Sequence, residues 1–410
     1  MTAGEVGEAG IRPGAGGHPE VPPAGAGGPD WREWPARQQP DWRRDEFHAP
    51  VRRALDAAEP LVTGEEVREL SARLAVVCSG DAVLVQAGDC AESFHAASDA
   101  RTDAVVAVLD RLAAGFGGGR PVVRVGRIGG QFAKPRSRSE EVVDGVPLPP
   151  FRGHLVNSEV AEARARRPDP RRMLTGYRLA ASAHRRLAVH REARSGGWGP
   201  WSSHEALVLD YEAAFLRPDD TGELVLGSTH FPWVGERTRQ LDHGQVRLVA
   251  SARNPVACKL GPGATGEDAV RLCEVLNPDR TPGRLTFVVR MGTPAITSAL
   301  PPLLRAVRAA GHPVVWVSDP MHANTVSTPD GRKTRFLAAM LEEVGWFTRI
   351  VRDHGEHPGG LHLEVAAEEV TECVGGPVPG FAALADRYET LCDPRLSPAQ
   401  AAELVARAGF

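Results

Sequence analysis

The chain has 410 residues, 42% of them apolar and 24% charged, and a net charge of −4 at neutral pH, ordinary values for a soluble globular protein with length enough for one large core. No apolar run approaches the roughly 18 residues that span a bilayer, and slight acidity gives no support for nucleic acid as the main partner. The opening MTAGEVGEAG has neither a basic nor an apolar leader segment, and the six cysteines (78, 90, 258, 273, 373, 392) form no CxxC pair, so a cytoplasmic protein without a zinc knuckle or thioredoxin-type motif is expected.

Residues 1–30 hold 14 Gly or Pro and almost nothing large and apolar, which predicts a disordered tail. Trp31, Trp34 and Trp42 then suggest a segment that packs onto a body. From about residue 50 no further low-complexity linker interrupts the chain, so residues 31–410 read as one catalytic domain. Eight short apolar runs bounded by Gly, Pro, Asp or Ser are strand candidates: 82–88, 121–126, a stretch near 200–207, 228–235, 254–261, 284–292, 313–318 and 360–366. The third, PWSSHEAL, is the least strand-like of the eight. Helical patterns lie between most of them, for example 103–116 and 296–311. Eight strands alternating with helices predict an α/β protein, a (β/α)8 TIM barrel, with a doubly wound sheet as the rival.

Chemistry in a barrel sits at the C-terminal ends of the strands. There the sequence places Asp89 and Cys90, Arg127, Glu236 and Arg237, Lys259, Arg290, Asp319 and His322, then His362 and Glu364, with Asp393 following in YETLCDPRL. Singly, each has a plain reading as a buried thiol, a turn residue or a solvated charge. Their shared address at one rim favours function. Cys, His, Glu and Asp together suit a divalent ion such as Mn2+, Co2+, Fe2+ or Zn2+. Arg127, Lys134, Arg136, Arg237, Lys259 and Arg290 are the cations that phosphate and carboxylate groups need, and a metal beside them implies an anionic substrate with an oxygen to polarise. Of 48 basic residues only Lys134, Lys259 and Lys333 are lysine, a retention that marks sites needing a compact ammonium. HGEHPGGLH (354–362) lacks H-E-x-x-H spacing and reads as a loop into strand eight. The glycines at 126, 129 and 130 lack dinucleotide-fingerprint spacing, and there is no Walker A sequence.

At these residues the chain resembles the class II (plant-type) 3-deoxy-D-arabino-heptulosonate 7-phosphate (DAHP) synthases, through QAGDCAESF (86–94), GRIGGQFAKPRS (126–137), SHEALVLDYE (203–212), HFPWVGERTRQLD (230–242), NPVACKLGP (254–262), LTFVVRMG (285–292), PVVWVSDPMHANT (313–325), HPGGLHLEV (357–365), TECVGG (371–376) and YETLCDPRL (388–396). The resemblance implies a metal-dependent barrel that condenses phosphoenolpyruvate with erythrose 4-phosphate in the shikimate pathway, as a homodimer or other homo-oligomer with Mn2+ or Co2+. It implies Cys90, His322, Glu364 and Asp393 as metal ligands. It assigns Arg127, Glu236, Arg237, Lys259 and Arg290 to phosphoenolpyruvate, and Lys134, Arg136 and Ser137 to the aldose phosphate. Lys134, Arg127, Cys90 and His322 would carry catalysis, with Lys134 as an acid toward the developing alkoxide.

Three departures stand out. The family's R-G-D-x-V-N reads Arg152-Gly153-His154-Leu-Val-Asn157, the stretch from Asn157 to Ser203 is shorter than in feedback-regulated members, and the N-terminal tail reads as disordered where longer members use their extension for assembly. They predict an enzyme insensitive to aromatic amino acids and serving secondary metabolism. An amino- or imino-sugar phosphate substrate, a metal-dependent barrel hydrolase and an inactive regulatory subunit are the alternatives, and a Cys90–Cys392 disulfide in metal-free protein is a further hypothesis.

Overall fold

In a computed structural model, residues 33–143, 145–194 and 196–410 are described. The tail expected at 1–30 lies outside them.

Eight parallel strands close into a barrel: β1 (Val83–Gly88), β2 (Val122–Arg127), β3 (Trp201–Glu205), β4 (Phe231–Val234), β5 (Val256–Leu260), β6 (Leu285–Val289), β7 (Val315–Ser318) and β8 (Pro358–Glu364), each paired with its sequence neighbours and β1 with β8. All eight predicted strands form, and the doubly wound rival is excluded by closure. The pleat alternates along each strand. Leu84, Val123, Val125, Trp201, Trp233, Ala257, Val288 and Val317 pack together as one cluster, whereas Val85, Leu361 and Leu363 meet the surrounding helices.

The outer ring includes α1 (His48–Asp56), α2 (Gly64–Cys78), α3 (Asp99–Gly115) and α4 (Arg172–Glu192). After the one-turn α5 (Leu209–Glu212) come α6 (Gly244–Ser251), α7 (Gly266–Leu276), α8 (Ile296–Ala309), α9 (Leu337–Asp353) and α10 (Pro398–Arg407). Thr63, Thr265 and Ser397 start α2, α7 and α10 with reciprocal capping boxes. The predicted helices at 103–116 and 296–311 are α3 and α8.

Two excursions from the rim matter for the site. One hairpin pairs Glu141–Val143 with Val146–Leu148, and another pairs Thr325–Ser327 with Lys333–Arg335. Gly153 lets the segment at 152–155 lie along 132–134: its φ is +90°, and a Cβ there would sit 2.2 Å from the Phe132 carbonyl oxygen. Lys134 N–H then donates to the Arg152 carbonyl at 2.9 Å.

Candidate active site

Strand parity aims one row of side chains into the top of the barrel. Gln86, His362 and Glu364 are fully buried, with Arg127 and Lys259 almost so. Trp233 forms the floor, its ring 5.1 Å from the Arg127 guanidinium and 5.9 Å from the Lys259 ammonium, a face suited to cations.

His322, Glu364 and Asp393 present ligand atoms within 4.8 Å of one another. His322 Nε2 lies 3.1 Å from Glu364 Oε1, while its Nδ1 lies 2.7 Å from Asp319 Oδ2. A carboxylate holding Nδ1–H leaves Nε2 as the free donor atom, the usual orientation of a metal-binding imidazole. The fourth predicted ligand, Cys90, is not among the atoms of that trio; its sulfur lies 3.3 Å from Thr390 Oγ1 and feels the charges of Lys134 and Glu364. A hydrogen bond from the Cys392 thiol, supported against burial by Lys134, lowers the Cys90 pKa below the ordinary thiol range, which favours the thiolate form that ligates metals. Cys90 and Cys392 are both free thiols. A thiolate, an oriented imidazole and two carboxylates are a donor set that fits a divalent cation.

Lys134 Nζ sits 3.0 Å from Glu364 Oε1 and 2.9 Å from Asp393 Oδ2. Burial opposes its charge, but Asp393, Glu364 and Cys90 more than offset this and hold the ammonium above its ordinary range. Burial likewise opposes the Glu364 charge, yet His322, Lys134 and Arg335 keep the carboxylate ionised far below its usual range.

The cations expected to bind anions divide into two groups. Lys259 pairs with Asp319 at 2.9 Å, and burial, with Arg127 adding repulsion, lowers its pKa to about 8. Arg127 donates to Glu364 Oε1 at 3.1 Å and faces His362 Nε2. Arg237 and Arg290, by contrast, have no carboxylate partner among the described residues; Arg237 Nη2 donates to Ser137 Oγ at 2.6 Å. Arg136 pairs with Glu141 of the first hairpin at 2.7 Å. The Glu236 carboxylate is spent on positioning, accepting Gly261 N–H at 2.6 Å and Arg239 Nε at 3.1 Å. Lys134 therefore stands with the carboxylates of the donor trio, while Arg136 and Ser137 lie further out beside Arg237.

Several residues had no role in the site assigned from the sequence. Lys333 reaches Asp393 Oδ1 at 2.8 Å, so all three lysines belong to the rim. Arg335, fully buried, donates to Glu364 Oε2 at 2.8 Å and to the Pro394 carbonyl. Asp89 accepts from Arg101 and Arg395, and Arg395 also grips Glu372, tying the Cys90 loop to the Asp393 loop. Glu205, at the end of β3, has a buried Oε1 without a hydrogen-bond partner; burial raises its pKa against the pull of Lys259, Lys134, Arg237 and Arg127. The scarcity of lysine was the signal available for Lys333. His154, the departure from the family pattern, accepts the Phe94 N–H at 3.0 Å through Nδ1. Its ring is buried against Phe94 and Phe151 and bonded to Glu159.

Fold and rim define a barrel enzyme class that handles anionic substrates beside a metal-competent donor set. The model of the class-II DAHP synthetase family matches residues 28–199 and 190–408. A probable phospho-2-dehydro-3-deoxyheptonate aldolase of Pseudomonas fluorescens is 43% identical, covering 89% of this chain and 92% of its own. The phospho-2-dehydro-3-deoxyheptonate aldolase of Streptomyces coelicolor is 40% identical over 92% and 95%, and that of Mycolicibacterium smegmatis 38% over 90% and 91%. The solved phospho-2-dehydro-3-deoxyheptonate aldolase of Francisella tularensis superposes with a TM-score of 0.53 at 12% identity, over 88% of this chain and 95% of that one, a likeness of fold alone. The chain belongs to the class-II DAHP synthase family.

Proposed function

We propose that this chain is a 3-deoxy-7-phosphoheptulonate synthase, a transferase that joins phosphoenolpyruvate to erythrose 4-phosphate and releases phosphate and DAHP, the first step of the shikimate pathway. The observation that carries the reading is the meeting of His322, Glu364 and Asp393, in a rim where Arg237 and Arg290 have no carboxylate partner among the described residues. A divalent cation held by these three residues and Cys90, Mn2+ or Co2+ for the mixed donor set, would supply polarisation of the aldehyde oxygen.

The chain's own residues account for the rest. Arg127, Arg237, Lys259 and Arg290 hold the phosphate and carboxylate of phosphoenolpyruvate, with Glu236 fixing the loop that carries Arg237. Arg136 and Ser137 hold the aldose phosphate end. C3 of phosphoenolpyruvate attacks the aldehyde carbon, and Lys134 protonates the oxygen that becomes an alkoxide. Water then adds at C2, giving up its proton to the Glu205 carboxylate, and phosphate leaves by C–O cleavage. These groups are fixed before reaction, so their stabilisation costs little reorganisation.

Residues 31–410 act as a single catalytic domain behind a tail at 1–30, in a cytoplasmic homodimer or other homo-oligomer. We further propose insensitivity to aromatic amino acids and a role in secondary metabolism. The 431 positions aligned with the Streptomyces relative outnumber this chain's 410 residues, so that relative carries stretches this chain lacks. The alignment with the Pseudomonas relative spans only 371. Between Asn157 and β3 this chain has α4 as its one helix among the described residues. The amino-sugar alternative drew on His154 and the shortened segment; the His154 ring is packed against Phe94 and Phe151 and bonded to Glu159. The test is phosphoenolpyruvate consumption with erythrose 4-phosphate, the product identified by mass spectrometry, without and with phenylalanine, tyrosine and tryptophan. DAHP formed at an unchanged rate is expected. Phosphoenolpyruvate hydrolysis without a seven-carbon product would overturn the activity, and strong sub-millimolar inhibition would overturn the insensitivity.

A further inference from the structure

We infer that the strap formed by residues 33–42 positions the aldose-phosphate half of the site, with Gln38 as its positioning residue; this rests on the assignment of Arg136 and Ser137 to that half. The Gln38 side-chain amide bonds both backbone groups of Arg136: its Oε1 accepts the Arg136 N–H at 2.9 Å, and its Nε2 donates to the Arg136 carbonyl at 3.0 Å. The peptide groups on both sides of Arg136 are thereby fixed, as a neighbouring strand would fix them. Ser137 follows directly, and Arg237 Nη2 reaches its hydroxyl at 2.6 Å.

Gln38 holds a φ of +62°, and only Arg280 shares a positive φ among the described non-glycine residues. A side chain in that region is strained, and such strain persists only where surrounding bonds determine the backbone. They do here. The carbonyls of Gln38 and Gln39 accept from the Arg152 guanidinium, and the Arg152 carbonyl in turn accepts Lys134 N–H at 2.9 Å. Gln39 clasps the loop after β3, donating to the Leu207 carbonyl at 2.8 Å and accepting Leu209 N–H at 3.0 Å. On the other side, Gly244 N–H donates to the Pro35 carbonyl at 2.9 Å and Gln245 Nε2 to that of Arg37 at 2.7 Å. One short segment thus ties the loop that carries Arg136 and Ser137 to the segments that follow β3 and β4.

Of the four phosphoenolpyruvate cations, Arg127, Lys259 and Arg290 lie on β2, on β5 and after β6, away from these bonds, and only Arg237 touches the loop, through the Ser137 hydroxyl. Loss of Gln38 should therefore weaken one substrate and spare the other. The experiment uses the full-length, metal-loaded enzyme with Gln38→Gly and Gln38→Ala, varying each substrate while the other saturates, alongside thermal unfolding. Both variants lose the two bonds, but glycine relieves the strained φ and alanine keeps it. KM for erythrose 4-phosphate should rise about tenfold in both, with KM for phosphoenolpyruvate within about twofold. Tm should be lower for alanine than for glycine. An unchanged aldose KM in the folded glycine variant, or both KM values rising together in step with falling Tm, would overturn the inference. Absence of DAHP from wild-type enzyme would instead overturn the functional reading beneath it.

Discussion

Between β3 and α4, His184, Ser202 and His230 are as thoroughly buried as Lys134, Glu364 and Arg335 at the rim, yet the two clusters ionise in opposite ways. His184 Nδ1–H donates to the Ala180 carbonyl, and its Nε2 accepts from Ser202, both at 2.8 Å. His230 Nδ1 accepts Ser202 N–H at 3.1 Å. The closest partners are hydroxyls and amides, and burial dominates even with the Glu66 carboxylate 3.6 Å from His230 Nε2, lowering the two imidazoles to about 3 and about 4. At the rim, burial pushes the same way, but Arg127, Lys134 and Arg335 each meet a carboxylate of Glu364 or Asp393 within 3.1 Å. Neutrality is the default of a protein interior. A buried cluster stays charged where counter-charges are built in, and that is the signature of the functional end.

The largest expected effect comes from breaking the charged cluster. Glu364→Gln leaves Lys134, Arg127 and Arg335 facing an amide, and turnover should fall at least about 100-fold. Steady-state rates at saturating metal check this; activity within tenfold of wild type would remove Glu364 from the donor set. A smaller effect should appear on the phosphoenolpyruvate side. Lys259 is charged below its pKa of about 8 and loses charge above it, so KM for phosphoenolpyruvate should rise between pH 7.5 and 9. Lys259→Arg, which stays protonated, should flatten that rise whatever its effect on the rate. The smallest effect sharpens the neutral side. The folded-state pKa values of His184 and His230 are depressed, so below about 6.5 the unfolded chain binds more protons than the native one. Stability should be full above that pH and decline as pH falls toward 4, with Tm dropping by about 5 °C between pH 6.5 and 5. His184→Gln should reduce the slope, and a Tm independent of pH across this window would contradict the neutral cluster.

The contrast also explains what the sequence could disclose. Strand positions follow from short apolar runs bounded by Gly, Pro, Asp or Ser, and every barrel strand was readable that way, even β3. That strand reads weakly because Ser202, Ser203 and His204 are buried through partners on other elements: the His184 and His230 rings, Gln86 and the Gly126 carbonyl, and Glu212. Residues at strand ends, such as Lys259 and Glu364, are legible because the fold gives them an address. Arg335, Lys333, Glu205 and the Asp89–Arg395–Glu372 chain act through space across long sequence separations, and no periodicity marks them. The strap is hidden for the same reason. Gln38 and Gln39 look like linker residues until the loops they bind are brought beside them.

The claim that the charged rim is a metal-assisted condensation centre is tested most directly by one assay. Phosphoenolpyruvate consumption with erythrose 4-phosphate should stop when a chelator strips the enzyme and return on adding Mn2+ or Co2+, with DAHP as the product each time. Turnover that persists undiminished in the stripped enzyme would contradict the account.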